Sequence, residues 1–234
     1  MFLAIVLLRE TYEPVLLARK THQLSQETKN PDLYHRHSNN LTKKQIFARA
    51  INRPLIMLFT SPAVLITSIY VGLVYGYTYL LFTSFGSLFT TIYNFSESTV
   101  GLTYLGFGVG CATGLLVLGT VSDRIVKRFS PEGGWKAEYR LLPLIPGSLV
   151  VPIGLFWYGW SAEEKTHWIV PIIGTAFVGI GTLAVFMPVQ SYLIDAFPLY
   201  AASAAAANTI LRSLAGAFLP LAGPALYQAL GQGW

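Results

Sequence analysis

The sequence predicts an all-α membrane protein of five transmembrane helices plus the stub of a sixth. Three observations carry that prediction. Apolar residues make up 53% of the 234 and charged residues only 12%, well below the roughly 25% usual in soluble domains. The charges are bunched, so the apolar residues fall into uninterrupted runs of bilayer length, of which 98–122 is one. Short polar connectors separate the runs, the sharpest being Gly119-Thr-Val-Ser-Asp123-Arg124-Ile-Val-Lys127-Arg128. A soluble core of this size would still need a charged exterior, which the composition lacks.

That connector orients the whole chain. Its mixed charges between two apolar runs predict a short turn at the membrane surface, and its excess of Lys and Arg places it on the cytoplasmic side. Nine of the 16 basic residues lie in positions 1–53 and five more in 124–140. Topology therefore accounts for the net charge of +5, and nucleic acid is not an expected partner. Cys111 sits within an apolar run, where it reads as a small packing residue.

Residues 1–8 are apolar without a basic lead or a small-residue cleavage pattern, so they do not read as a secretory signal. As a helix they would cover roughly 12 Å of a hydrocarbon core about 30 Å thick, which predicts the tail of a span begun elsewhere. Residues 1–53 thus read as a helix end followed by a cytoplasmic loop, and 54–234 as a transmembrane bundle. The loop holds His22, His35 and His37, whose spacing suits no helical pair of metal ligands and which read as solvated residues. Thr42 and Gln45 form a capping box that predicts a short helix from Lys43 to Asn52. Two readings of that helix stand open: it lies on the inner membrane surface, or it is merely solvated.

No charge occurs between Arg53 and Glu97. This predicts one long tilted span over 62–89, with Pro62 in its first turn. Tyr75 and Tyr79 share a face of it, and phenolic hydroxyls in hydrocarbon need partners. The loop after it carries no Lys or Arg and should face the far side. Asn94-Phe95-Ser96 has the form of a glycosylation sequon but hugs the membrane. The second span, 99–121, repeats Gly106, Gly110 and Gly114 on one face, which permits close approach of another helix. The third, 141–160, has Pro143, Pro146 and Pro152 in its first half, and its Trp157, Tyr158 and Trp160 predict an aromatic belt at the outer end. The fourth, 168–193, leads through Gln190 to Asp195 at the inner surface. The fifth, 203–226, contains Asn208, Arg212 and Pro220. Its alanine- and serine-rich start suits backbone-to-backbone packing. A membrane enzyme is not expected: the spans hold no histidine-rich or paired-carboxylate cluster, and His167 stands alone at an interface.

The connector, as Gly119, Asp123, Arg124, Lys127 and Arg128, resembles the loop motif of the major facilitator superfamily, Gly-x-x-x-Asp-Arg-x-x-Lys/Arg-Arg. An ordered series of further stretches is similar to the fungal drug–proton antiporter branch. It comprises residues 9–20 (RETYEPVLLARK), Arg53-Pro54, Tyr75-Gly76-x-x-Tyr79-Leu80, 140–147 (RLLPLIPG) and 208–214 (NTILRSL). The resemblance covers nearly the whole chain and implies that the five spans are helices seven to eleven of twelve, with residues 1–8 the end of helix six. Helices one to five and helix twelve are then absent, along with the first loop motif and the antiporter motif of helix five.

Such carriers rock one six-helix half against the other around a midplane site. The resemblance therefore implies an N-terminal carrier half as partner, besides the lipid bilayer and a small-molecule substrate. It also implies a multi-pass protein of the plasma membrane that exports drugs or other small amphipathic compounds, with the proton as coupling ion and no cofactor. The cavity residues it points to are Tyr75, Tyr79, Gln190, Asn208 and Arg212; helix packing is an equally open reading for the two tyrosines. The loop motif would act with Asp195 as a conformational latch, Arg124 reaching Asp195 below the fourth span. The competing reading is a non-transporting membrane subunit or regulator that pairs with another carrier half.

Overall fold

The computed structural model describes residues 13–28, 42–129 and 136–230. Among them all regular structure is helical. Helix α1 spans Glu13–Thr28 and α2 spans Lys43–Thr60. The bundle consists of α3 (Pro62–Thr91), α4 (Glu97–Phe129), α5 (Leu144–Glu163), α6 (Ile169–Ala196) and α7 (Ala201–Leu230), with 3-10 turns at Ala137–Leu141 and Pro198–Tyr200. Two compact units are distinguished, residues 1–49 and residues 50–234.

Part of the polar stretch expected as a loop is helical. Its Leu16, Leu17, Arg19, Lys20 and Gln23 are strong helix formers, and they sit in the sixteen-residue α1. The expected stub at residues 1–8, together with His35 and His37, lies outside the described residues; His22 is exposed on α1. The capping box at the start of α2 forms as read: the Thr42 N–H donates to Gln45 Oε1 at 3.0 Å and the Gln45 N–H to Thr42 Oγ1 at 3.4 Å. The helix does not stop at Asn52, however. It continues through Pro54 to Thr60, because proline removes one backbone bond while Leu58 beyond it is buried in the core at 4% exposure.

Five segments are long and apolar enough to cross a membrane: Pro62–Thr91, Glu97–Ser122, Ala137–Glu163, Ile169–Ala196 and Pro198–Tyr227. Pro62 opens α3 in its first turn, where its missing N–H has no helical partner to lose. The expected turn at 119–128 is corrected. Those residues are the last turns of α4, which is 33 residues long and so rises about 50 Å, beyond the roughly 30 Å of a hydrocarbon core. Ser122–Arg128 contains no proline or glycine to end a helix, and basic residues at a C-terminus suit the helix dipole.

Helix α6 is the centre of the bundle, packing along both α4 and α5, while α3 and α7 form a second long pair. Glycines make the close contacts. Gly106, Gly110 and Gly114 of α4 face Ile172, Ala176 and Ile180 of α6, and Gly179 of α6 faces the Phe107 carbonyl. Gly154 and Gly174 lie on the backbones of α6 and α5 in turn. Lipid offers no hydrophobic reward for helix association, so this shape fit carries the packing. Two apolar clusters fill the interior. One groups Leu58, Val64, Val185, Leu193 and Ala204 at the end bearing Asp195, and the other groups Phe85, Phe89, Tyr158 and Val178 at the opposite end.

Tyr158 is a further correction. It does not join Trp157 and Trp160 in an outward belt: those two are exposed, whereas Tyr158 is 3% exposed. At 100° per residue a helix cannot present both 157 and 158 to lipid at the same angle. The Tyr158 hydroxyl instead meets Ser84 Oγ of α3 at 2.8 Å.

Candidate functional site

Helix α3 turns its tyrosines two ways. Tyr75 and Tyr79, one turn apart, face α7, with hydroxyls 3.2 Å apart and ring centroids at 4.8 Å. Their rings reach α7 because Gly216 leaves room: a Cβ there would stand 3.0 Å from Tyr75 Cδ1 and 3.6 Å from Tyr79 Cδ2. Tyr70 and Tyr77 instead line a cavity of about 540 Å³ bounded by α3, α5 and α7, with Tyr158 and Tyr227 on its other walls. None of the five predicted cavity residues lines it.

Those five converge elsewhere, on a strip shared by α3, α6 and α7. Arg212 of α7 lays its guanidinium carbon 4.8 Å from the Tyr75 ring centroid and 4.9 Å from that of Phe186 on α6. Two aromatic faces thus flank one cation. One turn before Arg212, Asn208 is 1% exposed and its Nδ2 donates to Gln190 Oε1 of α6 over a long 3.5 Å. Gln190 follows Phe186 by one turn on α6, so the five predicted residues and Phe186 form one continuous group. Two of its buried polar atoms find no hydrogen-bond partner, Asn208 Oδ1 and Arg212 Nε. The reading from sequence missed Phe186 and Gly216. Phe186 carried a signal, lying one turn from Gln190 on the same face.

The expected ion pair between Arg124 and Asp195 does not form. Arg140, on the 3-10 turn before α5, donates from Nε to Asp195 Oδ2 at 3.0 Å. Arg124 and Arg128 are exposed, and the side chains of Asp123 and Lys127 lie outside the described residues. Gly119 faces open space. The reason lies in the continuous α4, which carries Arg124 out along its own axis, whereas the turn at Ala137–Leu141 brings Arg140 back against the end of α6. Both partners are about a quarter exposed, at 27% and 25%, and such a pair contributes ~1 kcal/mol or less.

The arrangement defines a multi-pass helical membrane protein with a polar strip shared by α3, α6 and α7. The family model of the Major Facilitator Superfamily matches residues 1–220. The chain belongs to that superfamily. It is 55% identical over 228 residues to the MFS-type transporter penM of Penicillium rubens, covering 97% of this chain and 45% of that protein. It is 54% identical over 233 residues to the MFS-type transporter tndD of Aspergillus flavipes (97% of this chain, 43% of that protein). To the MFS transporter cpaT of Aspergillus oryzae it is 47% identical over 234 residues (99% and 47%). The chain therefore spans about half the length of the curated relatives it matches. No solved structure matches.

Proposed function

We propose that this chain is part of a proton-coupled exporter of small amphipathic compounds. In the complete carrier its strip of Tyr75, Tyr79, Gln190, Asn208 and Arg212 forms one wall of the substrate path. The end bearing Arg140 and Asp195 faces the cytoplasm, the carrier resides in the plasma membrane, and the opposite wall comes from a second half of the polypeptide, as the length of the relatives suggests. Arg140 and Asp195 tie the start of α5 to the end of α6 and serve as the latch that the loop motif led one to seek at Arg124. Even ~1 kcal/mol shifts a carrier whose two states are nearly balanced.

One observation supports this reading above the others. Residues that a bilayer would exclude, an arginine and an asparagine among tyrosines, are gathered on a single strip and leave polar atoms unpaired. Polar groups at membrane depth are costly and mark pathways. The test is transport by the full-length carrier in sealed vesicles, against a panel of cationic, neutral and acidic amphipathic compounds. Flux should follow an imposed proton gradient and vanish with a protonophore, and the 234-residue chain alone should give none. Flux indifferent to the gradient would remove the antiport assignment. No flux at all, from full-length protein shown to be in the membrane, would favour a non-transporting subunit.

A further inference from the structure

Arg212 is the only Asp, Glu, Lys or Arg in residues 62–91, 98–122, 141–162, 169–194 and 201–230. Those five apolar stretches thus offer Arg212 no carboxylate. Asp195, the next acid along the sequence on the N-terminal side, is bonded to Arg140. Among the described residues Arg212 forms no ion pair and no hydrogen bond; its Nε is buried without an acceptor. The two rings beside it, Tyr75 and Phe186, soften the charge but cannot accept its N–H groups as an oxygen would. Arg212 as a whole is half-buried, but a buried N–H of an ionised group left without an acceptor is costly. The guanidinium fork is also the side chain whose geometry best matches a carboxylate.

Asn208 adds a second, independent demand. Its side chain is 1% exposed and its Oδ1 has no donor. It lies one turn from Arg212 on the same face of α7, a separation of about 5–6 Å between Cβ atoms. A partner that satisfies both groups must present an anionic oxygen to Arg212 and an O–H or N–H to Asn208. Its body must be apolar to enter the bundle. A cation would fare badly here, because the Tyr75 face that might attract it already holds the guanidinium.

We propose that the compound carried along this strip is an amphipathic organic acid, its anionic oxygen accepting from Arg212 and a neighbouring hydroxyl or N–H donating to Asn208. This rests on the transport reading above and narrows it to a charge class.

The experiment uses the full-length carrier in sealed vesicles and two radiolabelled probes of nearly equal shape, 2-naphthoate and 2-naphthylmethylamine. The acid should move at least tenfold faster than the amine. Arg212→Gln should lower acid flux at least about tenfold, the loss expected when a charged hydrogen bond is removed, with the amount of carrier in the membrane unchanged. If Arg212→Gln does not reach the membrane, Arg212→Lys decides, since it keeps the charge and loses the fork: acid flux several-fold below wild type supports the assignment, and wild-type flux overturns it. A carrier that moves the amine and not the acid keeps the transport reading and overturns this one. Acid flux that Arg212→Gln leaves unchanged assigns the counter-charge to a carboxylate of the polypeptide and likewise overturns it. Movement of neither probe, by protein shown to be in the membrane, overturns the assignment, and the wider panel then decides whether transport itself survives.

Discussion

The α4–α6 and α3–α7 contacts are both built on glycines, yet they differ in what surrounds them. Between α4 and α6 the glycines lie on backbone: a Cβ on Gly179 would stand 2.5 Å from the Phe107 carbonyl oxygen, and one on Gly106 2.6 Å from that of Ile172. Few polar side chains intervene. Between α3 and α7 the fit is looser: a Cβ on Gly72 or Gly76 would stand 3.3 Å from the Leu211 or Ala215 carbonyl oxygen, and one on Gly216 meets a ring edge, while the strip alongside holds hydroxyls, two amides and a guanidinium, some unpaired. The first contact is closed by shape and has nothing left to bind. The second leaves more room at its glycines, meets a movable ring at Gly216, and carries unmet hydrogen-bonding groups. Two contacts of the same residue composition can therefore be a fixed seam and a working surface, and the same substitution should tell them apart.

Gly110→Ala should have the largest effect. The added methyl would press into the Ala176 backbone, which has no rotamer by which to yield. The helices must part there, and overpacking costs about 1–3 kcal/mol, occasionally more; backbone contact puts this site at the upper end. Thermal unfolding of the purified chain in detergent should show a lower midpoint and loss of a single sharp size-exclusion peak. A wild-type midpoint would mean that α4 and α6 are not locked as described.

Asp195→Asn should have a smaller effect. It removes one member of a pair that is about a quarter exposed, so the stability change should be ~1 kcal/mol or less. Protease accessibility near Arg140, on the 3-10 turn before α5, should nevertheless rise, because the turn loses its tie to α6. If accessibility changes with Arg124→Gln and not with Asp195→Asn, the pairing assigned here is wrong.

These contrasts also show which parts of the structure were legible in the sequence. The five spans were, because their limits are set by hydropathy and by charges at known positions. The α4 glycine face was legible too, since a four-residue repeat fixes one side of a helix. The end of α4 was not. The cluster of charges suggests a turn, but charge alone does not end a helix, and no proline or glycine follows Gly119 before Phe129. The partner of Asp195 was illegible for the same reason: with the turn misplaced, Arg124 took the place that the later turn gives to Arg140. The members of the polar strip stand out by the cost of polar groups in lipid, whereas the signal for Phe186, one turn from Gln190 on the same face, is weak because an aromatic residue in an apolar helix is unremarkable until its neighbour is known. Composition alone makes Tyr158 a belt residue, and only its partner Ser84 on another helix shows why it turns inward.

Gly216→Ala should change stability least. Its Cβ would lie 3.0 Å from Tyr75 Cδ1 and 3.2 Å from Cε1, close enough to push but against the far part of a side chain rather than a backbone. A shift of a few tenths of an ångström by the ring relieves the contact. Replacing glycine inside a helix returns roughly 0.5–1 kcal/mol, which offsets much of the cost of that shift. The unfolding midpoint in detergent should therefore stay near wild type, in contrast to Gly110→Ala. The ring that moves is the one lying 4.8 Å from the Arg212 guanidinium, so probe flux through the full-length carrier should change even though the fold does not. A fall in stability as large as that of Gly110→Ala would show that α3 and α7 are as tightly closed as α4 and α6, and the strip would then be packing rather than a path.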